Sequence, residues 1–401
     1  MSSWPGDSIG VVGGGIVGLA IAREISNRYQ GVGVTVFEKE DQVASHQSGH
    51  NSGVVHAGVY YQPNSLKGRL CRRGAGLLRE YCQERGVRYR ELGKLVVASA
   101  EKELSALDDI EKRALLNGVP GVRRVGSKEM EDIEPYVRGV SALYSPSTAS
   151  VDYRGVCEAL GEEIRGMEGE VRLNTPVTGL RETVTGVEVC SADQRWIFDR
   201  VIVCGGLYGD RLARLAGGLG ELRTIPFRGE YYMLRSEVSH RVRGMIYPVP
   251  DPRYSFLGIH LTRNISDEVH VGPNAVFALA LEGYRRRDID FNDLRLMLSW
   301  PGTWRLVRRN WQHGSSELLS SLSKTLYVRQ VRRYLADIET SDLISPSSGV
   351  RAQAVDRSGN LVDDFVLQEE GRILLVRNAP SPAATSSLAI AEYVVSLSSK
   401  P

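Results

Sequence analysis

The sequence predicts an α/β protein with a Rossmann-like dinucleotide-binding domain, assembled from discontinuous segments, and a second domain built on a mixed sheet. Three observations lead to this fold class. Residues 9–38 read in order as strand, glycine turn, helix, strand and acid. A second apolar strand, residues 201–203, runs directly into Gly205 and Gly206. A mostly extended stretch, residues 225–276, separates these segments from a final strand, loop and helix.

The N-terminal unit has the G-x-G-x-x-G spacing of a dinucleotide-binding turn. Gly13 permits the tight turn, Gly15 lets backbone N–H groups approach a pyrophosphate, and Gly18 lets the helix pack close to the strand. Glu38 is placed to accept hydrogen bonds from ribose hydroxyls, which argues against a 2′-phosphate but fits both FAD and NAD. An ordinary glycine-rich turn is the alternative. The predicted cofactor contacts of this unit are Gly13, Gly14, Gly15, Ile16, Val17, Gly18, Glu38 and Lys39.

Composition limits the size class and the partners. A chain of 401 residues suffices for two domains, and a net charge of +2 does not indicate a nucleic-acid binder. The five cysteines form no C-x-x-C pair and no metal spacing, so we expect no metal site and a reducing compartment. No apolar run approaches the ~20 residues of a membrane span, and no secretion signal is visible. Peripheral membrane contact stays open.

Between the two glycine turns the chain alternates loops, helices and strands. Residues 41–65 are dense in Gly, Ser, Asn and His, which predicts a loop whose small residues let a backbone lie against a flat cofactor. The apolar periodicity predicts a helix over residues 66–84, a strand over 89–98 and a helix over 153–166. Residues 171–177 are expected to form another strand.

These elements divide the chain between two domains. Residues 1–88, 145–215 and 345–401 are predicted to form the dinucleotide-binding domain. Residues 89–144 and 216–344 are predicted to form the second domain, whose sheet covers the cofactor and binds the substrate.

Seven strings along the chain are characteristic: GHNSGVVHAGVYY (residues 49–61), PFRGEYY (226–232), IYPVPDP (246–252), LGIHLTR (257–263), VGPNA (271–275), GVRAQAV (349–355) and NAPSPAATSSLAI (378–390). The overall arrangement resembles the FAD-dependent D-amino-acid oxidase (DAO) superfamily, with glycine oxidase, sarcosine oxidase and glycerol-3-phosphate dehydrogenase as relatives. Within it, the strings resemble the L-2-hydroxyglutarate dehydrogenase (oxidase) family. The resemblance runs essentially end to end.

The resemblance implies FAD as a non-covalent cofactor in a domain of the glutathione-reductase/DAO type. It implies oxidation of L-2-hydroxyglutarate to 2-oxoglutarate by hydride transfer to flavin, with electrons passed to a quinone or electron-transfer chain, or to oxygen. It also implies a cytoplasmic enzyme, one peripheral on the cytoplasmic membrane face, or a mitochondrial enzyme in a mature eukaryotic form. Because the first strand begins almost at once, we expect a bacterial protein or a mature form.

Oxidising a small dicarboxylate 2-hydroxy acid needs a carboxylate clamp, a base for the hydroxyl proton and a hydride acceptor. Related oxidases place an arginine over the flavin at a position similar to Arg351, and a guanidinium matches a carboxylate bidentately. A surface arginine paired with Asp363 or Asp364 is the alternative. The base is His56 or His260, one of them serving as a hydrogen-bond partner instead, and a structural role is the alternative for each.

Further substrate contacts are expected from basic and aromatic residues of the second domain and of the 41–65 loop. Arg263 and Arg228 are the candidates for the distal carboxylate, although most basic residues of such a chain face solvent. Tyr60, Tyr232 and Tyr254 are candidates to donate hydrogen bonds to the substrate, with aromatic packing as the alternative.

Two further loops are expected to contact FAD. The N–H groups that open the last helix are expected to stabilise negative charge on the reduced flavin, with an ordinary capped helix as the alternative. The predicted contacts outside the first unit are His50, Asn51, Ser52, Gly53, Val54, Val177, Gly205, Ser381, Pro382, Ala383, Ala384 and Thr385.

Three other functions stay open at this point. A sibling FAD enzyme would act on another 2-hydroxy acid, an amino acid or glycerol 3-phosphate. An NAD-dependent dehydrogenase would lack a yellow chromophore. A flavin-binding protein without redox turnover would bind FAD and not be reduced by any hydroxy acid.

Overall fold

The structure, a computed structural model, describes residues 6–218, 220–250 and 258–398. Its strands, in chain order, are β1 Ser8–Val12, β2 Gly33–Phe37, β3 Val54–Val55, β4 Tyr89–Glu91, β5 Lys94–Ala98, β6 Arg123–Gly126, β7 Ser141–Ser145, β8 Ala149–Val151, β9 Glu170–Arg172, β10 Gly179–Glu182, β11 Val187–Ser191, β12 Gln194–Phe198, β13 Arg200–Val203, β14 Leu222–Leu234, β15 Met245–Pro248, β16 His260–Arg263, β17 Val269–Gly272, β18 Val276–Phe277, β19 Leu343–Asp356, β20 Val366–Glu370 and β21 Ile373–Asn378. Its α-helices are α1 Ile16–Arg28, α2 Leu66–Arg85, α3 Leu104–Leu116, α4 Ser127–Ile133, α5 Tyr153–Gly166, α6 Gly209–Leu215, α7 Ser236–Ser239, α8 Phe291–Leu298, α9 Pro301–Leu322, α10 Lys324–Val331 and α11 Ala383–Ser398.

The first domain is built on a six-stranded sheet in the order β20–β21–β13–β1–β2–β9, in which β20 is antiparallel and the other strands are parallel. Apolar side chains of α1, α5 and α11 cover one face, with α2 packed outside against α11. The antiparallel sheet β10–β12 and α6 cover the other face. The predicted Rossmann-like domain, made of separated chain segments, is confirmed.

The second domain is built on a nine-stranded mixed sheet in the order β18–β14–β17–β16–β15–β5–β7–β6, with β19 paired to β14. Two distant chain segments meet at its centre, where β5 and β15 run parallel. The face away from the first domain packs against α10 through buried residues such as Tyr327 and Val331. The predicted second domain with a mixed sheet is therefore also confirmed.

One predicted domain boundary is wrong. The C-terminal segment of the first domain was expected to begin at residue 345, but β19 pairs antiparallel with β14 from Leu343 to Asp356. Its pairing ends at a tight turn in which Gly359 has φ +83° and the Asn360 N–H donates to the Asp356 carboxylate at 2.8 Å. Residues up to 356 therefore belong to the second sheet, and the other boundaries stay predictions.

Two predicted strands also differ from the structure. The single strand over residues 89–98 is divided, because Gly93 has φ +74° and breaks the extended backbone. β4 pairs with β8 in a small sheet, whereas β5 enters the large one. The strand expected over 171–177 ends at Arg172, since Asn174 has φ +52° and Pro176 follows.

Candidate active site

A cavity of about 990 Å³ lies where the first domain faces the second sheet. Its lining extends from the β1–α1 turn at Gly13, past the 41–65 loop, to strand residues Tyr247, His260 and Arg351. Ligand pockets typically measure about 300–1,000 Å³. This cavity is at the upper end of that range, which suits a large cofactor together with a small substrate.

The β1–α1 turn leaves the start of α1 open to the cavity. Gly13 has φ +115°, and a Cβ there would lie 2.4 Å from the carbonyl oxygen of Cys204, so glycine is required. A Cβ on Gly18 would lie 2.1 Å from the Gly13 carbonyl oxygen, so the helix packs close to the strand. Gly15, by contrast, would meet only the Ser48 hydroxyl, at 3.3 Å, among the described residues. Its open side gives a phosphate access to the helix N-terminus.

Glu38 links the glycine turn to the end of β2. Its buried carboxylate accepts the Gly14 N–H at 2.8 Å and the Glu40 N–H at 3.0 Å. A carboxylate has about four acceptor positions, so lone pairs remain for ribose hydroxyls. The close-packed glycines, the open helix start and the buried acid together fit the adenosine and pyrophosphate portions of FAD.

The last helix reaches the cavity through residues 381–385, which line it. The Thr385 hydroxyl oxygen accepts the His56 backbone N–H at 3.1 Å and shares a hydrogen bond of 3.0 Å with the Tyr153 hydroxyl. Tyr153 also donates to the Val54 carbonyl at 3.0 Å. This network fixes the start of α11 against β3 and the backbone of His56.

Polar contacts join the cofactor end of the first domain to the second domain. The Lys39 ammonium lies 2.6 Å from the Glu282 carboxylate. His46 Nδ1 lies 3.1 Å from the Tyr284 hydroxyl, and the His50 ring centroid lies 4.6 Å from that of Tyr284. The loop that follows β18 is therefore held beside the 41–65 loop.

The pleat of the second sheet decides which of its side chains face the cavity. Successive side chains of a strand point to opposite faces. Lys94 of β5, Tyr247 of β15 and His260 of β16 share the cavity face, and the Tyr247 and His260 rings stack with centroids 3.9 Å apart. Their neighbours on the opposite face pack into the core, namely Leu95, Ile246 and Leu261.

His260 is held in one orientation and one tautomer. Its Nδ1 lies 2.9 Å from the Gly258 carbonyl oxygen, which can only accept, so Nδ1 carries the proton and Nε2 is the acceptor. Burial lowers the pKa of His260 to about 3; the hydrogen bond to Gly258 opposes this, and the charges of Arg351 and Lys94 add to it. The ring is therefore neutral at physiological pH and offers a free basic nitrogen.

His56, which follows β3, lines the same cavity. Its Nδ1 is buried without a hydrogen-bond partner among the described residues. Burial lowers the pKa of His56 to about 3, and the charges of Lys94, His260, Lys67 and Arg351 lower it further in that order. An unpaired buried acceptor costs less than an unpaired buried donor in a site rich in cations, so we assign the proton to Nε2.

Arg351 is a partly buried cation without a partner among the described residues. It lines the cavity, and its guanidinium makes no hydrogen bond or ion pair within residues 6–218, 220–250 and 258–398. The alternative pairing with Asp363 or Asp364 is wrong, because Asp363 lies 2.6 Å from the Lys67 ammonium and Asp364 accepts the Lys67 backbone N–H at 3.1 Å. Arg351 is thus available to bind an anion in the cavity.

Comparison with known proteins agrees with this geometry. The model of the FAD dependent oxidoreductase (DAO) family matches residues 8–397. L-2-hydroxyglutarate dehydrogenase, mitochondrial, of Nematostella vectensis is 44% identical, covering 96% of this chain and 89% of the relative. The human mitochondrial enzyme of that name is 41% identical over 96% of this chain and 87% of its own length. The L-2-hydroxyglutarate dehydrogenase of Indibacter alkaliphilus is 41% identical over 95% and 96%.

The chain belongs to the L-2-hydroxyglutarate dehydrogenase family of FAD-dependent oxidoreductases.

Solved structures share the fold of this FAD-dependent oxidoreductase at low sequence identity. L-alpha-glycerophosphate oxidase from Mycoplasma pneumoniae, with FAD bound, superposes with a TM-score of 0.80 at 21% identity, covering 98% of this chain and 95% of that one. Glycine oxidase from Geobacillus kaustophilus superposes with a TM-score of 0.73 at 17% identity, covering 97% and 94%.

Most of the predicted cofactor contacts line the cavity of this oxidoreductase. They are Gly13, Gly15, Ile16, Val17, Glu38, Lys39, His50, Asn51, Ser52, Val54, Val177, Gly205, Ser381, Pro382, Ala383, Ala384 and Thr385. Three predicted contacts lie behind the lining. Gly14 donates to Glu38, Gly18 packs on Gly13, and Gly53 supports the loop with φ +68°.

Two predicted substrate contacts of β14 point away from the cavity. Tyr231 lines the cavity, so alternation along β14 places Arg228 and Tyr232 on the opposite face. Arg228 there lies 3.3 Å from the Glu230 carboxylate, and Tyr232 packs edge-on against Tyr327.

Arg263 has a structural role at the far end of β16. Its guanidinium donates to the carbonyl oxygens of Ser239 at 2.6 Å, Val242 at 2.6 Å and Asp267 at 2.9 Å. Its assignment to the distal carboxylate is therefore wrong. Of the predicted tyrosines, Tyr60 lines the cavity, whereas Tyr254 lies outside the described residues.

Basic residues near the cavity were missed from the sequence, among them Lys67, Arg113 and Lys94. Lys67 lines it and pairs with Asp363, and Arg113 of α3 lines it without a side-chain partner among the described residues. Lys94 lies just behind the lining, with its ammonium 4.6 Å from the Tyr60 ring centroid and 5.1 Å from that of Tyr247. The sequence did contain a signal for Lys94, because this lysine directly precedes the apolar run LVVA, and lysines are almost never fully buried.

Proposed function

We propose that the protein oxidises L-2-hydroxyglutarate to 2-oxoglutarate with FAD. The names of its relatives, at 40–44% identity over nearly the full chain, support this substrate. The structural observation that favours it most is the unpaired Arg351 beside two neutral histidines in one cavity. This set combines an anion-binding group with a proton acceptor, as oxidation of a 2-hydroxy acid requires.

In the proposed reaction, Arg351 binds the substrate carboxylate next to the hydroxyl-bearing carbon through paired N–H groups. This contact orients the hydroxyl towards His260, whose Nε2 accepts the hydroxyl proton. The bound carboxylates favour the imidazolium that forms, because opposite charge nearby raises the pKa of a base. FAD, when bound, supplies the hydride acceptor.

His56 and Tyr60 complete the proposed site. The Nε2–H of His56 donates a hydrogen bond into the space between cofactor and substrate. The Tyr60 hydroxyl is buried without a partner among the described residues, so a ligand oxygen is its expected acceptor. Seventeen residues around the glycine turns and the start of α11 would hold FAD, as predicted from the sequence.

A substrate panel tests the proposed specificity. The panel contains L-2-hydroxyglutarate, D-2-hydroxyglutarate, L-malate, L-lactate, glycine and glycerol 3-phosphate, with a soluble redox dye as electron acceptor. We expect L-2-hydroxyglutarate to give the highest kcat/KM of the six. The monoacid L-lactate is expected to be about 10- to 150-fold poorer, because a charge-assisted contact contributes roughly 1.5–3 kcal/mol. A higher kcat/KM for any other member would replace the proposed substrate.

We further propose that a quinone or electron-transfer chain at a membrane receives the electrons. No helix among residues 6–218, 220–250 and 258–398 has the length and apolarity to cross a membrane. Helix α9 nevertheless exposes large apolar side chains, with Trp304 and Trp311 at 58% and 62% exposure and Leu318 and Leu319 at 53% and 57%. Exposed Arg308 lies between the two tryptophans, a composition that suits the surface of an anionic bilayer.

Vesicle sedimentation tests this surface. The FAD-loaded protein is expected to sediment with anionic vesicles and less with neutral ones. The double variant Trp304→Ser/Trp311→Ser is expected to partition at least about tenfold more weakly, since burying a large apolar side chain contributes about 1.5–3 kcal/mol. Dye-linked turnover should stay unchanged in the variant. Equal sedimentation of both proteins would eliminate α9 as the contact surface.

A further inference from the structure

Lys94 is a fully buried cation with no counter-ion in the part of the chain that the structure describes. The residue is 1% exposed, and its ammonium makes no hydrogen bond or ion pair with any residue that the structure describes. The rings of Tyr60 and Tyr247 lie 4.6 and 5.1 Å from it and offset only part of the cost of removing a charge from water. A buried unpaired charge of this kind needs an anion, and none of the described residues supplies one.

The charges around the substrate end of the cavity do not balance. Lys67 is neutralised by Asp363, and both histidines are neutral. Among the described residues, Arg351, Arg113 and Lys94 are left as positive charges without a counter-ion, and Lys94 is the most deeply buried of the three. Arg351 lines the same cavity as Tyr247, and the Lys94 ammonium lies 5.1 Å from the Tyr247 ring centroid.

We propose that Lys94 determines specificity for a dicarboxylate. From behind Tyr60 and Tyr247, its ammonium provides the second positive charge that a dianion requires. It also orients the Tyr60 hydroxyl towards the second carboxylate. Arg351 holds the first carboxylate, so this inference rests on the proposed function and deepens it. Lys94 acts through Tyr60 and is therefore a positioning residue.

The fold supports this division of roles. Lys94 and Tyr247 share the cavity face of neighbouring strands β5 and β15, and Tyr247 stacks on His260. The Tyr60 hydroxyl is buried and has no partner within the described residues, so the ring is held by Lys94 while its polar end awaits an acceptor. Arg113, the other unpaired cation of the lining, is the rival for the second carboxylate.

Binding of two matched inert ligands to the FAD-loaded chain tests the proposal. Glutarate is a five-carbon dianion and pentanoate is the corresponding monoanion, and each is titrated by the change in flavin absorbance. In Lys94→Met we expect glutarate to bind about 10- to 100-fold more weakly, from the Coulomb energy of charges several Å apart at an effective dielectric near 20. Pentanoate binding should change by less than about threefold. Lys94→Arg should recover part of the preference for glutarate.

Stability separates this role from a merely structural one. Burial lowers the pKa of Lys94 to about 8, so folding disfavours the charged form at neutral pH. The Lys94→Met variant should therefore keep its FAD and have a melting temperature no lower than that of the wild type. The control variant Lys102→Met, at an exposed lysine, should also keep its FAD and its melting temperature. In addition, Lys102→Met should keep the preference for glutarate over pentanoate. A parallel loss of FAD, melting temperature and binding of both ligands would overturn the proposal.

The wild-type pH dependence provides a second readout that needs no variant. The titratable groups around Lys94 are Tyr60, Tyr247, Cys71, His56 and His260, and the cations Lys67 and Arg351 act on His56 as Lys94 does. Burial raises the pKa of Cys71 to about 12, raises the pKa of both tyrosines and lowers those of the histidines to about 3, so none of these five titrates near pH 8. We expect the glutarate Kd, but not the pentanoate Kd, to rise as pH passes 8. Parallel curves for the two ligands would contradict the proposal.

The Arg113→Met variant and reduction of the wild-type flavin provide two further tests. If Arg113→Met loses glutarate selectively and Lys94→Met does not, the second carboxylate belongs to Arg113 and the proposal fails. Reduction of the wild-type flavin by L-2-hydroxyglutarate is measured alongside. Reduction with an unchanged glutarate preference in Lys94→Met sinks this inference alone, whereas absence of reduction sinks the proposed function.

Discussion

Replacing Arg351 by methionine is expected to lower kcat/KM for L-2-hydroxyglutarate by about 30- to 1,000-fold. This corresponds to about 2–4 kcal/mol, the usual contribution of paired charge-assisted hydrogen bonds in a partly buried site. The effect should be large because the guanidinium has no protein partner that competes for it among the described residues. Methionine keeps the apolar stem, so steady-state kinetics report mainly the loss of the charge and its N–H donors.

An exposed arginine provides the matched control. Arg308→Met changes the same residue type on the solvent face of α9, and we expect kcat/KM within about twofold of wild type because surface substitutions seldom matter. FAD content should match wild type in both variants. A near-normal kcat/KM in Arg351→Met would eliminate Arg351 as the clamp.

Replacing His260 by asparagine is expected to lower kcat by about 10²- to 10⁴-fold, the usual contribution of a general base. Asparagine can keep a hydrogen bond to the Gly258 carbonyl oxygen, but it lacks the basic nitrogen that His260 Nε2 presents to the cavity. Because burial lowers the pKa of His260 to about 3, the wild-type kcat/KM should stay level as pH falls from 7 to about 5. Single-turnover flavin reduction measures the chemical step directly.

His56→Asn is the companion variant that decides between the two histidines. We expect a smaller loss of kcat, about tenfold, because this side chain donates a hydrogen bond without taking the proton. Its backbone N–H stays bonded to Thr385, so the local fold should persist. The reverse order, with His56→Asn nearly inactive and His260→Asn mildly affected, would make His56 the base.

Local chemistry explains why the cofactor end was predictable from sequence. The positive φ of Gly13 and the close approach of Gly18 to its carbonyl oxygen demand glycine, so the turn leaves a readable spacing. The acid at Glu38 and the start of the last helix at Ala383 also lie at fixed points of the same fold. These requirements act over short stretches of chain and need no knowledge of the packing.

The substrate end depends on long-range packing, which the sequence does not reveal. Arg228 and Tyr231 are three residues apart in one strand, and only the packing of β14 decides which of them faces the cavity. Arg263 looks free in the sequence but binds three carbonyl oxygens brought together by the fold. Lys94 gains its surroundings from Tyr60 and Tyr247, which lie far from it along the chain or on another strand.

The predicted start of the last segment of the first domain, at residue 345, was wrong for a related reason. Periodicity alone predicts a strand near residue 350 but not its partner. The register with β14, from Leu343 opposite Leu234 to Asp356 opposite Leu222, assigns that strand to the second sheet. This pairing also carries Arg351 to the cavity wall, so the misplaced boundary and the predicted clamp concern the same strand.

An anaerobic absorbance spectrum of the purified protein tests the central claim most directly. The protein is recorded before and after one equivalent of L-2-hydroxyglutarate, with D-2-hydroxyglutarate as the matched control. We expect a flavin band at ~450 nm that bleaches with the L form and not with the D form. A flavin band that neither enantiomer bleaches would contradict the proposed reaction while keeping the cofactor, and the absence of a flavin band after reconstitution with FAD would contradict the cofactor site itself.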